Sequence, residues 1–143
     1  MRGENLLNKV LAAPVGQVVD VLSEILNSDI KLQIIEQKTV SPHKFERKVI
    51  ISSNKFPVIK ALAKFDSTIL PKFIFDELLK KNQGIGAILT QNNIVVSRNI
   101  LSVNHDLDEN KVTREYEIVN NGFLWFTILE EIKLDNLSAS DNS

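Results

Sequence analysis

The sequence of 143 residues contains no cysteine, few glycines and prolines, and no uninterrupted apolar run long enough to cross a membrane. Without cysteine, disulfides, zinc–thiolate sites and thiol nucleophiles are excluded. The 17 basic and 18 acidic residues balance, so we expect no nucleic-acid partner, which would require a clustered basic face. The N-terminal segment lacks the apolar region of a signal peptide. We therefore expect a cytoplasmic protein that binds no membrane.

The apolar periodicity predicts a single α+β domain over residues 1–135, with an antiparallel sheet flanked by helices. Residues 136–143 are small and polar, which predicts a disordered tail whose deletion from residue 137 onward leaves the stability unchanged. No internal repeat is evident. The predicted helices lie within residues 5–13, 15–26, 71–81 and 85–89, and the predicted strands are 30–35, 45–52, 58–65, 94–103, 112–119 and 122–132.

The stretch GFLWFTILEEI, Gly122–Ile132, is the most apolar part of the chain and predicts a buried strand. Because side chains alternate along a strand, Glu130 continues the face of Phe126 and Ile128, and Glu131 continues the face of Trp125 and Leu129. At least one of the two glutamates therefore continues an apolar face. A carboxylate on an apolar face requires a partner or a ligand, since an unpaired buried charge is costly.

Three predicted strands each place one arginine on their more apolar face, namely Arg47, Arg98 and Arg114. The guanidinium group is planar and fits a carboxylate through two hydrogen bonds. Together with Glu130, these arginines predict a largely apolar pocket for a small anion. The alternative is that each arginine lays its stem along apolar surface and keeps its charged head in water.

Histidine is too sparse to predict a metal site. His43 and His105 lie in predicted loops far apart in the chain, and they lack the spacing of metal ligands. Both are expected to be surface residues.

The order of four segments resembles the chorismate pyruvate-lyase family and its shorter archaeal and bacterial relatives. FERKVII, with Arg47, resembles the family's first-hairpin strand, and LLKKNQGIGAIL, with Ile85 and Gly86, resembles its ligand-contacting stretch. VVSRNIL, with Arg98, resembles a further strand. The last hairpin, which ends in Glu130, resembles the strand whose glutamate faces the substrate.

The resemblance extends over residues 6–132 and implies an enclosed pocket in which chorismate is converted to 4-hydroxybenzoate and pyruvate, without metal or organic cofactor. It implies that Arg47 binds a carboxylate and stabilises transition-state charge, and that Glu130 holds the ring hydroxyl or transfers a proton. It places Ile85, Gly86 and Arg98 at the substrate, and Val15 at the position of an apolar contact.

The sequence departs from the family pattern at several positions. The family often has proline where Gln83 or Gly84 stands, and threonine where Leu129 stands. It often has a small polar residue and an arginine where Gly16 and Gln17 stand. These departures leave catalysis open.

Two alternatives to the lyase remain. The effector-binding domains of some transcription regulators resemble chorismate lyase and bind small acids or phosphosugars without chemistry. They normally follow a DNA-binding module, and here only about 40 residues precede the first predicted hairpin. A non-catalytic small-acid-binding domain is therefore the main alternative. In the third interpretation there is no ligand, and the arginines pair with nearby acidic residues.

Overall fold

The computed structural model describes residues 2–54 and 56–139, which form five helices and six strands. No helix in this part of the chain is long and apolar enough to cross a membrane. The elements in chain order are α1 (Arg2–Ala12), α2 (Val18–Leu26), β1 (Ile30–Ser41), β2 (Lys44–Ser53), β3 (Phe56–Asp66), α3 (Lys72–Leu79), α4 (Ile85–Gln91), β4 (Ser97–Asp106), β5 (Lys111–Asn120), β6 (Phe123–Lys133) and α5 (Leu134–Ala139).

The six strands form one sheet in the order β1-β2-β3-β6-β5-β4, and every neighbouring pair is antiparallel. The predicted α+β class with an antiparallel sheet is confirmed. Two three-stranded meanders meet at the central pair β3–β6, and each meander follows a pair of helices. The order helix–helix–strand–strand–strand therefore occurs twice, although the sequence shows no repeat.

All five helices contribute to two apolar clusters on one face of the sheet, which we call the inner face. One cluster lies under α3 and α4 and includes Phe65 and Phe126. The other lies under α1, α2 and α5 and includes Ile59 and Ile132. Between the two clusters, the middle of the inner face carries polar side chains, and this is where the candidate site is found.

The alternation of β5 explains how polar groups come to lie in this interior. Val112, Arg114, Tyr116 and Ile118 are all buried, whereas the residues between them are half-buried on the other face. Successive side chains along a strand point to opposite faces of the sheet. Arg114 and Tyr116 alternate in step with Val112 and Ile118, so they face inward with them.

Two predicted strand boundaries are corrected. β1 continues to Ser41 rather than ending at Ile35, because its second half pairs with the start of β2. β4 begins at Ser97 rather than Ile94, and its register with β5 shifts between Ile100 and Ser102. A bulge changes the alternation that sequence parity assumes.

The predicted disordered tail is wrong for residues 136–139, which belong to α5. Leu137 is only 1% exposed and packs in the same cluster as Leu6, Leu7 and Val10 of α1. Leu137, with Leu134 three residues earlier, is enough to bury this short helix when a matching apolar face is available. Deletion from Leu137 onward is therefore expected to destabilise the domain. Residues 140–143 lie outside the described part of the chain.

Candidate functional site

A cavity of about 410 Å³ lies between the two apolar clusters, over the middle of the inner face. β4, β5 and β6 form its floor, and its roof consists of the α1–α2 loop and the segment that leads into α4. The floor residues are Arg98, Arg114, Tyr116, Ile118, Ile128 and Glu130, and the roof includes Val15, Gly16, Gln83, Gly84, Ile85 and Gly86.

The two roof segments touch through glycine. A Cβ atom added to Gly86 would lie 2.3 Å from the Cα of Gly16, which real side chains do not tolerate. Gly16 also has φ +86°, a left-handed conformation that glycine adopts readily. A side chain at either position would force the two segments apart, so the glycines are needed for this close approach.

The polar centre of the floor is a buried cluster of Arg114, Glu130 and Tyr116. Arg114 donates from Nε and Nη2 to Oε1 of Glu130, at 2.9 and 2.7 Å. Tyr116 donates its hydroxyl to Oε2 of Glu130 at 2.7 Å. A third arginine nitrogen, Nη1, donates to the backbone carbonyl of Leu11 near the end of α1, at 2.9 Å. The carboxylate therefore has a charged partner and a neutral donor in a nearly dry environment.

Burial is the main cause that raises the pKa of the Tyr116 phenol, and the adjacent Glu130 carboxylate adds to it. Both effects disfavour a phenolate, because a second negative charge would lie beside the first one in a poorly solvated site. Tyr116 therefore stays protonated at neutral pH and acts as a hydrogen-bond donor at the floor of the cavity.

Arg98 is the second cation at the floor, and it has weaker partners than Arg114. Its guanidinium carbon lies 5.4 Å from the centre of the Tyr116 ring, and its Nη2 lies 3.5 Å from the carbonyl of Leu11. None of the ion pairs formed between described residues includes Arg98. This side chain is half-buried and retains donors that a ligand can engage.

Arg47 does not line this cavity, contrary to the prediction that it binds the carboxylate of a substrate. It is fully buried, and its Nε, Nη1 and Nη2 donate to the Gln37 side chain and to the carbonyls of Gln83 and Leu78, at 2.7 to 2.9 Å. Burial lowers the pKa of Arg47 to about 10, which leaves it charged at neutral pH. Its position fits a cation that holds the end of α3.

The structure brings together the other five residues predicted for the site. Val15, Ile85, Gly86, Arg98 and Glu130 all line the cavity, which leaves Arg47 as the exception. Glu130, the glutamate that the family resemblance selects, is buried, whereas Glu131 lies on the other face.

Two floor residues are not fully predicted from the sequence. Arg114 is expected among the inward arginines of the anion pocket but is not matched to a substrate contact of the family, and no role is predicted for Tyr116. The alternation of β5 indicates that both residues face inward, since they lie on the same face as Val112. What it did not contain was their distance from Glu130 on the neighbouring strand.

Among the described residues, no three histidine, aspartate or glutamate side chains cluster as metal ligands would. Asp20 also borders the cavity, but it is exposed and belongs to the first turn of α2. The charges that face the interior are therefore those of Arg98, Arg114 and Glu130.

Comparison with known proteins supports the fold. No protein-family model matches the chain, and a comparison with curated proteins finds no match. Among solved structures, a GntR-family transcriptional regulator from Bacillus cereus is similar, with a TM-score of 0.51 and 11% identity over 74% of this chain and 92% of that one. The ligand-binding domain of a putative GntR-family regulator from Bordetella bronchiseptica has a TM-score of 0.50 and 8% identity over 75% and 87%.

The chain has the fold of these regulator domains. The sequence predicts a chorismate lyase-like architecture, which the effector-binding domains of some transcription regulators are expected to share. The likeness to the two regulator structures agrees with that prediction. At identities of 11% and 8%, the likeness concerns the fold alone.

Proposed function

We propose that this domain binds a small organic acid with an apolar or aromatic body, without chemical conversion, in the cavity over β4, β5 and β6. The observation that carries the proposal is the charge of the floor. Two arginines, Arg98 and Arg114, face the interior beside one carboxylate, Glu130, which leaves one positive charge for a ligand anion.

The division of labour between the two arginines follows from their partners. Arg114 is held by Glu130 and by the carbonyl of Leu11, so it forms a fixed part of the floor. Arg98 has no carboxylate partner among the described residues and lies over the Tyr116 ring. An incoming carboxylate supplies Arg98 with the charged partner that it lacks, and a bidentate contact of this kind is strong in a poorly solvated site.

The size and the walls of the cavity fit the rest of such a ligand. Cavities that hold small molecules have volumes of about 300–1,000 Å³, so about 410 Å³ lies at the small end. Val15, Ile85, Ile118 and Ile128 provide apolar contacts. The neighbours' fold supports the same proposal, since the Bordetella protein is described as a ligand-binding domain.

Calorimetric titration with 4-hydroxybenzoate and with benzoate tests the proposal. We expect saturable binding of at least one of these acids, weakened tenfold or more in Arg98→Gln, because a charged hydrogen-bond partner of the anion is lost. Lys44→Gln is the matched control, since it removes one positive charge from an exposed position outside the cavity. Equal affinity in both variants would contradict the role of Arg98.

Chorismate pyruvate-lyase activity is the second candidate, and one observation favours it. Two arginines that share one cavity floor could hold the two carboxylates of chorismate, with Glu130 at the centre of the floor. In this version of the chemistry Arg98 and Arg114 take the place assigned to Arg47. Glu130 is engaged by Arg114 and Tyr116, which suits a positioning role better than proton transfer.

Incubation with chorismate distinguishes the two candidates. The lyase requires equal amounts of 4-hydroxybenzoate and pyruvate, with turnover reduced in Glu130→Gln and retained in Glu131→Gln. Glu131 is the matched control because it lies on the same strand but on the other face. Binding of an aromatic acid with no pyruvate formed from chorismate supports the non-catalytic domain.

A further inference from the structure

The face of the sheet opposite the helices, which we call the outer face, is not covered by any described element. Every helix packs on the inner face, and neither apolar cluster includes Ile50, Leu62 or Leu129. Leu129, in the central strand β6, is 42% exposed. A groove of about 300 Å³ on this face is lined by Ile35, Ile50, Leu62 and Leu129 together with charged side chains.

The outer face has an ordered charge pattern across its four central strands. Lys48, Leu62, Leu129 and Glu115 lie opposite one another in a single row from β2 to β5. The basic end of this row lies on the first meander and the acidic end on the second. The adjacent row repeats the pattern, with Ile50, Lys60, Glu131 and Thr113 in the same order of strands.

From this pattern we infer that the outer faces of two copies of the chain pack together in a symmetric dimer. A two-fold axis that runs along the strands, between β3 and β6, reverses each row on the partner copy. Lys48 then faces Glu115 of the second copy, and Leu62 faces Leu129 at the centre. An isologous interface requires a surface that is complementary to itself, and this row has that property.

The charges of these rows are available for such contacts. Lys48, Lys60 and Glu115 take part in no ion pair between described residues. The second row places Lys60 opposite the partner's Glu131, which otherwise contacts Lys133 at 3.4 Å and Lys111 at 3.8 Å.

The third row opposes the dimer, because it places Glu46 opposite the partner's Glu117. It lies toward one end of the sheet, and Lys64, 3.9 Å from Glu46, reduces the repulsion. The favourable contacts lie at the centre of the interface, whereas the unfavourable row lies toward its rim. Contacts at the rim are solvated and screened, so the balance favours the dimer.

The area is sufficient. Six strands about 4.8 Å apart and about ten residues long, at about 3.3 Å per residue, present a face of about 950 Å². A standard interface buries about 800 Å² on each partner. Two packed sheets lie about 10 Å apart with a small rotation, which keeps the central rows in best contact.

Charge reversal tests the dimer and its axis together. Sedimentation velocity over a concentration series should show a wild-type dimer. Lys48→Glu alone and Glu115→Lys alone should each raise its dissociation constant about tenfold or more, because each creates two like-charge contacts across the axis. An equimolar mixture of the two variants should restore the dimer, since both contacts then join opposite charges. Within one chain the two positions are separated by two strands, so the rescue must occur between copies.

Two further variants complete the experiment. Leu129→Lys should give a monomer with an unchanged circular dichroism spectrum, and Lys72→Glu, on α3 and away from the outer face, should leave the dimer intact. A wild-type monomer at all concentrations would overturn the inference. So would a dimer that tolerates both charge reversals, as contact through the edge strand β4 would give, or a dimer that the mixture fails to restore.

Discussion

The two halves of the sheet each bury one arginine at the same place, and the two arginines do different things. Arg47 is the fourth residue of β2, and Arg114 is the fourth residue of β5. Each donates to the penultimate carbonyl of a helix that belongs to the other half, Leu78 of α3 for Arg47 and Leu11 of α1 for Arg114. In both places an arginine ties a helix end to the middle strand of a meander.

The difference lies on the neighbouring strand. The residue opposite Arg47 is Ala63, the eighth residue of β3, whereas the residue opposite Arg114 is Glu130, the eighth residue of β6. Arg47 therefore donates to carbonyl and amide oxygens of the fold, and its role is structural. Arg114 has a carboxylate and, through it, a tyrosine, which together form the floor of a cavity. The comparison shows that a buried arginine belongs to a ligand site when its own side chain lines the cavity, as Arg114 does and Arg47 does not.

The largest expected effect belongs to Arg47→Ala. It removes the donor that Arg47 supplies to the Gln83 carbonyl and to the Gln37 side-chain oxygen, and one of several donors to the Leu78 carbonyl. We expect the free energy of unfolding to fall by about 3–5 kcal/mol. Urea denaturation measures this loss. Arg47→Lys should recover only part of it, because one ammonium group cannot replace the three-directional fork. A loss below about 1 kcal/mol would show that Arg47 is not structural.

The end of the sheet that holds Arg114 is expected to depend on α5. Leu137 packs against α1, whose Leu11 carbonyl is an acceptor of Arg114. Leu137→Ala should lower the free energy of unfolding by about 2–4 kcal/mol, because it opens a cavity in a close-packed cluster. Leu107→Ala, at an exposed loop position, is the control. Equal melting temperatures for the two variants would contradict the packing of α5.

A smaller effect, with a defined dependence on pH, is expected for Tyr116→Phe. It removes one of the donors of buried Glu130 and should lower the free energy of unfolding by about 1–2 kcal/mol at neutral pH. The folded state raises the pKa of Tyr116, so the unfolded chain loses this proton first as the pH rises. The stability that Tyr116 contributes is thus complete below its unfolded pKa of about 10 and is lost progressively above it.

Urea titrations of the wild type and of Tyr116→Phe on both sides of pH 10 check this sign. The difference between the two proteins should narrow at the higher pH, since the variant lacks the titrating phenol. Because other groups also titrate in this range, only the difference between the proteins is informative. A difference that widens with pH would contradict the burial of the neutral phenol beside Glu130.

The smallest effect on stability is expected for Arg98→Gln, within about 0.5 kcal/mol in urea denaturation, because its partners in the fold are a ring face and a distant carbonyl. The matched substitution Arg47→Gln should cost several times more. Arg47 would then be needed for the stability of the fold and Arg98 for the ligand. Equal losses in the two variants would erase the distinction.

How far the sequence predicts this molecule depends on whether the relevant contacts are local. The alternation of Phe45–Ile51 and of the β5 residues correctly predicts which side chains face inward, because it reflects the period of the strand itself. The role of Arg47 was not predictable in this way. Its acceptors at Leu78 and Gln83 lie 31 and 36 residues further along the chain, and no local pattern records where α3 ends in space.

Two further misses have related causes. The start of β4 was misjudged because Ile94 and Val96 are apolar and pack against the cluster under α3 and α4, whereas pairing with β5 begins only at Ser97. The helix around Leu137 was missed because its six residues, in which Leu134 and Leu137 are the large apolar side chains, are too few to show a helical period. Its burial depends on a surface contributed by α1. In both cases tertiary contacts decided the local structure.

The contact between Gly16 and Gly86 has a consequence for how such a domain can change over evolution. Where the two roof segments meet, backbone touches backbone, so neither position can accept a side chain to read a different ligand. The floor has no such restriction, because Arg98, Ile118 and Ile128 are ordinary strand positions whose side chains can be exchanged while the ladder stays paired. New ligand preferences are therefore expected to arise through substitutions in the sheet, while the contact between the two roof segments is conserved.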